Sequence, residues 1–267
     1  MYETHWGLRE SPFRGGADRR FFFQSPTHDE ALARLQFLVE NDRRLAVLTG
    51  QTGVGKSMLL RLFADQLRQQ GIEVALVNLI GLPAEELVWT VADQLHAGPA
   101  AGDPMPILWR KISDRLVAQR YQQLKTVVLF DDAGEAAVTT RASLVRLIQS
   151  DTSGENRLTV VLSTTPDRVD QLGSRLLDLS ELRIELETWA ADDVADFLQS
   201  SLDRAGRRSP IFVENAANKL HALGEGIPRN ISQLAELSLL AGAGRQAQSI
   251  DGETVESVFH QLSVNTG

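Results

Sequence analysis

Apolar residues gather in five short runs along the chain, and between those runs they recur at helical spacing. The runs are Leu45-Ala46-Val47-Leu48, then residues 73–80, 125–132, 158–166 and 183–187. Each is short enough for a strand and reads as one buried within a sheet. The intervening stretches predict helices. Thr27 and Glu30 form a capping box ahead of Ala31, Leu32, Leu35, Leu38 and Val39. A second helix runs from Lys56 to Gln70 and is stopped by Gly71. Pro83 opens a third, which ends near His96. Residues 107–124 predict a helix that buries Ile107, Trp109, Ile112, Leu116 and Tyr121. Two more follow over 139–149 and 167–178, and residues 97–106 and 151–156 read as loops.

From Ala190 onward no strand pattern remains. Helices are predicted over 190–205, 210–222, 229–241 and 251–263, punctuated by Gly206, Gly224-Glu225-Gly226 and Gly242-Ala243-Gly244. Strands alternating with helices, followed by helices alone, imply an α/β domain over 1–188 and a helical domain over 189–267. Residues 1–24 read as an irregular lead-in to the first domain. Its aromatics Trp6, Phe13 and Phe21-Phe22-Phe23 either pack the segment down or border a nucleotide base.

Charge and composition narrow the function classes. The 267 residues carry 35 acidic and 27 basic side chains, a net charge of −8, which argues against a whole-surface nucleic-acid binder. The Arg-Arg pairs at 19–20, 43–44 and 207–208 read as solvated surface. Cysteine is absent, so disulfides and thiolate metal sites are excluded. No stretch approaches the ~20 apolar residues of a membrane-spanning helix, and the start lacks a signal-peptide core. The expected compartment is cytoplasmic, without direct membrane insertion.

The chemistry is concentrated after the first strand. Gly50-Gln51-Thr52-Gly53-Val54-Gly55-Lys56-Ser57 fits G-x-x-x-x-G-K-[ST], the Walker A phosphate loop, and Met58 follows it into the helix. Glycines let successive N–H groups turn inward toward phosphate oxygens. The opening helix adds its positive end. Lys56 supplies a full charge, and the Ser57 hydroxyl is a Mg²⁺ ligand. About 75 residues further on, Val127-Val128-Leu129-Phe130-Asp131-Asp132 is an apolar strand ending in acid, the Walker B pattern. Asp131 is the second Mg²⁺ residue. Asp132 occupies the position where many such ATPases keep a Glu to polarise the attacking water, and Glu135 is a secondary candidate. The fourth run ends in Ser163-Thr164-Thr165. One hydroxyl there is placed to meet the γ-phosphate or the attacking water, or else forms a plain turn before Pro166.

These residues together resemble AAA+ ATPases, and within them the ExeA-type ATPases of general secretion and pilus assembly. The resemblance rests on Trp6-Gly7-Leu8, Ser11-Pro12-Phe13, Asp18-Arg19-Arg20-Phe21-Phe22-Phe23, Ser25-Pro26-Thr27-His28 and Glu30-Ala31-Leu32. The phosphate loop, Gly226-Ile227-Pro228-Arg229-Asn230-Ile231, Ile250-Asp251 and Val255 extend it over nearly the whole chain. It implies a five-stranded parallel sheet with flanking helices and a small all-α lid. It also implies Arg229 as a sensor arginine that reaches the γ-phosphate, and Thr164 or Thr165 as the polar sensor, with Thr164 favoured. ATP is implied over GTP, and no guanine-specific Asn-Lys-x-Asp is present. An arginine finger is implied near the fifth strand, where Arg175 and Arg183 flank the position and Arg175 is favoured.

Two departures bear on function. The family pattern Asp-Glu-Ala is Asp131-Asp132-Ala133 here, so slow hydrolysis is expected. The membrane span and peptidoglycan-binding part of full ExeA-type proteins do not follow Gly267, which implies a soluble relative or a truncated chain. Three functions are compatible with the sequence. One is an oligomerising Mg-ATP hydrolase acting on a protein partner of a membrane-associated machine. The second is an ATP-dependent DNA regulator of the transposition type, disfavoured by the acidic balance. The third is a nucleotide-gated switch with weak hydrolysis.

Overall fold

A computed structural model describes residues 2–13, 22–150 and 157–264. The lead-in residues Gly15, Gly16, Arg19, Arg20 and Phe21 and the loop 151–156 lie outside the described residues. The chain forms two compact units. One comprises His28–Gly50 and Lys56–Leu186. The other gathers the described parts of Met1–Thr27 and Glu187–Gly267, with Gln51–Gly55.

The first unit is built on five parallel strands, β1 (Leu45–Thr49), β2 (Glu73–Asn78), β3 (Thr126–Asp131), β4 (Leu158–Thr164) and β5 (Leu182–Glu185), in the order β2-β3-β4-β1-β5. Every residue of β3 and β4 is buried, as expected of strands covered by helices on both faces. The edge strands β2 and β5 are less buried. Helix α2 (Pro26–Glu40) precedes β1, and α3 (Lys56–Gln69) follows it. Next come α4 (Ala84–Gln94), α5 (Met105–Tyr121), α6 (Val138–Ile148) and α7 (Ser174–Leu179). The free edge of β2 is closed by a side chain. The Gln94 amide accepts from the Leu76 N–H at 2.7 Å and donates to the Leu76 carbonyl at 3.0 Å, as a neighbouring strand would.

Several expectations shift. Helix α2 starts at Pro26 rather than after Thr27, because proline suits the first helical position; buried Ser25 precedes it and its hydroxyl pairs with that of Thr27 at 2.9 Å. The buried face of α5 is Leu108, Trp109 and Ile112, whereas Tyr121, its last residue, is 89% exposed. The single helix expected over 167–178 is a 3₁₀ turn, Pro166–Leu172, then α7, because Gly173 at φ +83° breaks the helical path.

The second unit holds α1 (Tyr2–Trp6), α8 (Ala191–Arg204), α9 (Glu214–Leu223), α10 (Pro228–Gly244) and α11 (Gly252–Val264). The lead-in, grouped by sequence with the α/β part, packs here and opens with a helical turn. Trp6 is 2% exposed, and its indole N–H donates to the Leu239 carbonyl at 2.9 Å. Phe13 lies against Phe197 and Phe212, and Phe23 against Trp189 and Phe197. The Ser11 hydroxyl donates to the Glu236 carboxylate at 2.9 Å, and the Tyr2 hydroxyl donates to the same group. Gly242 does not end its helix. A Cβ there would come within 2.3 Å of Ile250 and 2.9 Å of Trp6, so the glycine is a notch that admits both side chains.

Asp251 caps α11, accepting from the Thr254 hydroxyl at 2.7 Å and the Thr254 N–H at 2.9 Å. These bonds, the hydroxyl's first, hold its carboxyl below the ordinary 3.8. Because the folded value is depressed, the stabilisation is present above the ordinary value and is lost as pH falls through the folded one. Asp251→Ala is expected to cost about 1 kcal/mol in urea unfolding at pH 7. The difference from wild type should shrink on acidification below the carboxyl range.

Candidate nucleotide site

The parallel sheet sends the carboxyl ends of all five strands to one edge, and the sequence motifs lie at those ends. β1 ends at Thr49 and α3 begins at Lys56, so residues 50–55 are the connecting loop. Gly53 at φ +92° and Gly55 at φ +109° take conformations that side-chain-bearing residues rarely adopt. Lys56 is 7% exposed, and its ammonium donates to the Gly50 carbonyl at 2.7 Å. The positive charge therefore sits at the start of its own loop. Ser57 and Met58 are half-buried on the first turn of α3. Gln51 and Thr52 are exposed, whereas Val54 is buried.

The tip of the loop packs within the helical unit. A Cβ on Gly53 would lie 2.9 Å from Ile227 and 3.0 Å from Arg229, and the Arg229 N–H donates to the Gly53 carbonyl at 3.3 Å. Arg229 occupies the first turn of α10, where its side chain is exposed.

At the end of β3, Asp131 is buried beside β4. Its Oδ1 accepts from the Ser163 hydroxyl at 2.5 Å, and the Ser163 oxygen accepts from the Asp132 N–H at 3.0 Å. Asp132 stands in the left-handed region at φ 55°, a conformation that Asp tolerates better than most residues. Its carboxylate accepts from the Asn78 amide at 2.8 Å, and the Asn78 carbonyl oxygen accepts from the Ile80 N–H at 2.9 Å. Asn78 thus ties the end of β2 to Asp132.

Other candidates fall elsewhere. Thr164 is buried, and its hydroxyl donates to the Thr165 carbonyl at 3.4 Å; a Cβ on Gly134 would come within 2.5 Å of that hydroxyl. Adjacent strand residues point to opposite faces, so the hydroxyl that meets Asp131 is that of Ser163 and not Thr164. Glu135 is committed to Arg168 at 2.8 Å. Arg175 on α7 and Arg183 on β5 are both exposed. Just past β4, the Thr165 hydroxyl beside Asp167 forms no well-aligned hydrogen bond. It is still the main influence holding that carboxyl below its usual range, and the Arg168 and Lys56 charges add to it.

Ser163 and Asn78 are the residues sequence reading passed over. Ser163 was visible as one of three hydroxyls at a strand end, and strand parity decides among them. Asn78 gave no signal beyond its place at the end of an apolar run.

Donors and acceptors here suit a magnesium nucleotide. The positive-φ glycines of the loop and the Lys56 ammonium suit anionic oxygens, and no described group engages the second oxygen of Asp131. Among the described residues no three His, Asp or Glu side chains form a metal cluster. The Ser57 hydroxyl and the Asp131 carboxylate are the oxygen donors here that could, with phosphate oxygens, hold such an ion.

Ser163→Ala removes a donor to a buried carboxylate and the acceptor of the Asp132 N–H. The expected loss is about 1–3 kcal/mol of unfolding free energy, read from the urea midpoint at constant slope. Ser163→Thr, which keeps the hydroxyl, should recover most of it.

Comparison with known proteins places the fold. The chain is 29% identical to General secretion pathway protein A of Aeromonas hydrophila, over 98% of its own length. It spans 49% of that relative. Among solved structures, the ORC2 protein of Aeropyrum pernix in ADPNP-ADP complexes superposes with a TM-score of 0.68 at 11% identity, covering 91% of this chain and 71% of that one. Cdc6p of Pyrobaculum aerophilum gives a TM-score of 0.68 at 19% identity, covering 93% and 69%. The RuvB Holliday junction branch migration motor of Thermotoga maritima gives 0.59 at 15%, covering 94% and 73%. At these identities the structures establish a shared fold. No helix among the described residues is long and apolar enough to cross a membrane. Residues 39–172, half of the chain and the span that carries both Walker motifs, match the AAA domain family, and the chain belongs to that family of P-loop ATPases.

Proposed function

We propose that the chain binds Mg-ATP and hydrolyses it as a homo-oligomer, and that this cycle drives the assembly of a protein partner in a secretion or pilus-like machine. The observation that carries the reading is the buried Lys56 ammonium, held at the start of a loop whose glycines adopt positive φ. That arrangement is organised for a polyphosphate. The loop N–H groups and Lys56 would hold the β- and γ-phosphates, and Ser57 and Asp131 the Mg²⁺. The ion would neutralise charge developing on the phosphate oxygens. Asp132 would orient the attacking water, with its own direction set by Asn78. Arg229 would report the γ-phosphate to α10. Arg175, exposed, would be donated to a neighbouring subunit's nucleotide. Support for the partner class is the similarity to General secretion pathway protein A. We also propose the domain division near Thr188 as the functional one.

The geometry at Asp132 favours a second reading, a nucleotide-gated switch. Its carboxylate is one methylene shorter than glutamate and is engaged by Asn78. A shorter reach to the water slows the chemistry while leaving binding intact.

Two experiments separate these readings. Steady-state hydrolysis should rise faster than protein concentration, and Lys56→Ala should lower it at least about hundredfold. A strictly proportional rate, or a monomer at every concentration with ATP, would remove the shared-interface mechanism. Asp132→Glu should raise kcat severalfold with nucleotide affinity unchanged if reach is the limit. An unaltered kcat would place the limit elsewhere.

A further inference from the structure

At the C-terminal end of α6 an open cleft of about 490 Å³ lies between α5 and α6. Arg146 lies eight residues beyond the first residue of α6, about 12 Å along its axis at 1.5 Å per residue. The Arg146 guanidinium lies 4.4 Å from the Trp109 ring centroid, stacked over its face. Trp109 is itself 7% exposed and fixed in the core of the α/β unit. The cation is therefore held against a rigid aromatic plate, with its rotamer freedom already spent.

What the guanidinium does not do is equally informative. Among the described residues it makes no ion pair and no hydrogen bond, although its planar fork carries five N–H donors. The Ser113 hydroxyl and the Gln149 amide, which line the same cleft, also lack hydrogen-bond partners among the described residues. Val145 and Ala142 supply an apolar wall. Among the described residues no Asp or Glu lines the cleft, in a chain whose net charge is −8. An outward-facing bidentate donor beside two neutral polar groups and an apolar wall is a receptor for a carboxylate on an otherwise apolar segment.

We propose that this cleft docks an acidic peptide segment of a protein partner. Arg146 would clamp one carboxylate, Ser113 and Gln149 would bond the peptide or a second oxygen, and Val145 would pack the adjoining side chain. The volume falls in the range of ordinary ligand pockets. A nucleic-acid backbone fits less well. Phosphate-backbone binding is built from several cations acting together, and among the described residues Arg146 is the one charged residue in the lining. The proposal does not depend on hydrolysis.

The test is fluorescence anisotropy with a labelled, N-acetylated Glu-Asp-Phe-Glu-Asp-Leu peptide, set against its Lys-for-acid counterpart and a labelled duplex oligonucleotide. Wild type should bind the acidic peptide in a salt-sensitive manner, and Arg146→Ala should weaken binding at least about tenfold. Gln149→Glu, which adds a carboxylate at the mouth without touching the Arg146–Trp109 stack, should weaken it in the same direction. Both positions are exposed, so circular dichroism should be unchanged, and Lys56-dependent hydrolysis should be retained. The proposal is overturned by any of four results: no binding of the acidic peptide, equal binding of the basic one, equal binding by Arg146→Ala, or Arg146-dependent binding confined to the oligonucleotide.

Discussion

Parallel pairing of five strands is the constraint from which the site follows. Parallel strands joined by helical crossovers place every carboxyl terminus on one edge. The order β2-β3-β4-β1-β5 then sets the phosphate loop after β1, the hydroxyls of β4 next to it, and the acids of β3 one strand further. Because β3 and β4 are buried along their whole length, a one-residue slip would send every side chain to the opposite packed face, against neighbours it does not fit. The register that protects the core is the same register that sets Ser163 beside Asp131.

The polar contacts at that edge form a connected series. Ser163 bridges the Asp131 carboxylate and the Asp132 backbone, and Asn78 bridges the Asp132 carboxylate and the Ile80 backbone. Each member directs its neighbour; the Ser163–Asp131 end is buried, where a satisfied network is rigid, and the Asn78–Asp132 end is exposed. The left-handed turn at Asp132 is maintained by contacts from both sides, which is how a strained backbone persists at a working site.

The helical unit follows a different logic. Among the described residues it has no sheet beyond an isolated bridge between Phe212 and Ile250, and its core depends on aromatic side chains delivered from both ends of the sequence. Trp6 enters a notch made by Gly242, and Phe13 and Phe23 join Trp189, Phe197 and Phe212. Glu236 draws Tyr2 and Ser11 onto α10, the helix that carries Arg229. The N-terminal segment is thus part of this unit's core.

Much of this was legible in the chain itself. Strand runs, the helical remainder and both Walker motifs depend on local composition and short spacings, and those survive in one dimension. The glycines of the phosphate loop were readable for the same reason, since the conformation they permit is local. Parity at the end of β4 was not, because choosing Ser163 over Thr164 requires the register against β3. Nor was the role of Asn78, whose partner lies 54 positions away. The N-terminal aromatics pointed to burial but not to which core, and Gly242 looked like a helix stop because only packing distinguishes a notch from a terminus. Tyr121 fits a helical stripe in sequence yet, as the last residue of α5, faces solvent. Local propensity and spacing decided the elements and the chemistry. Which side chains touch was decided by long-range register and packing, and neither is written in any short window of sequence.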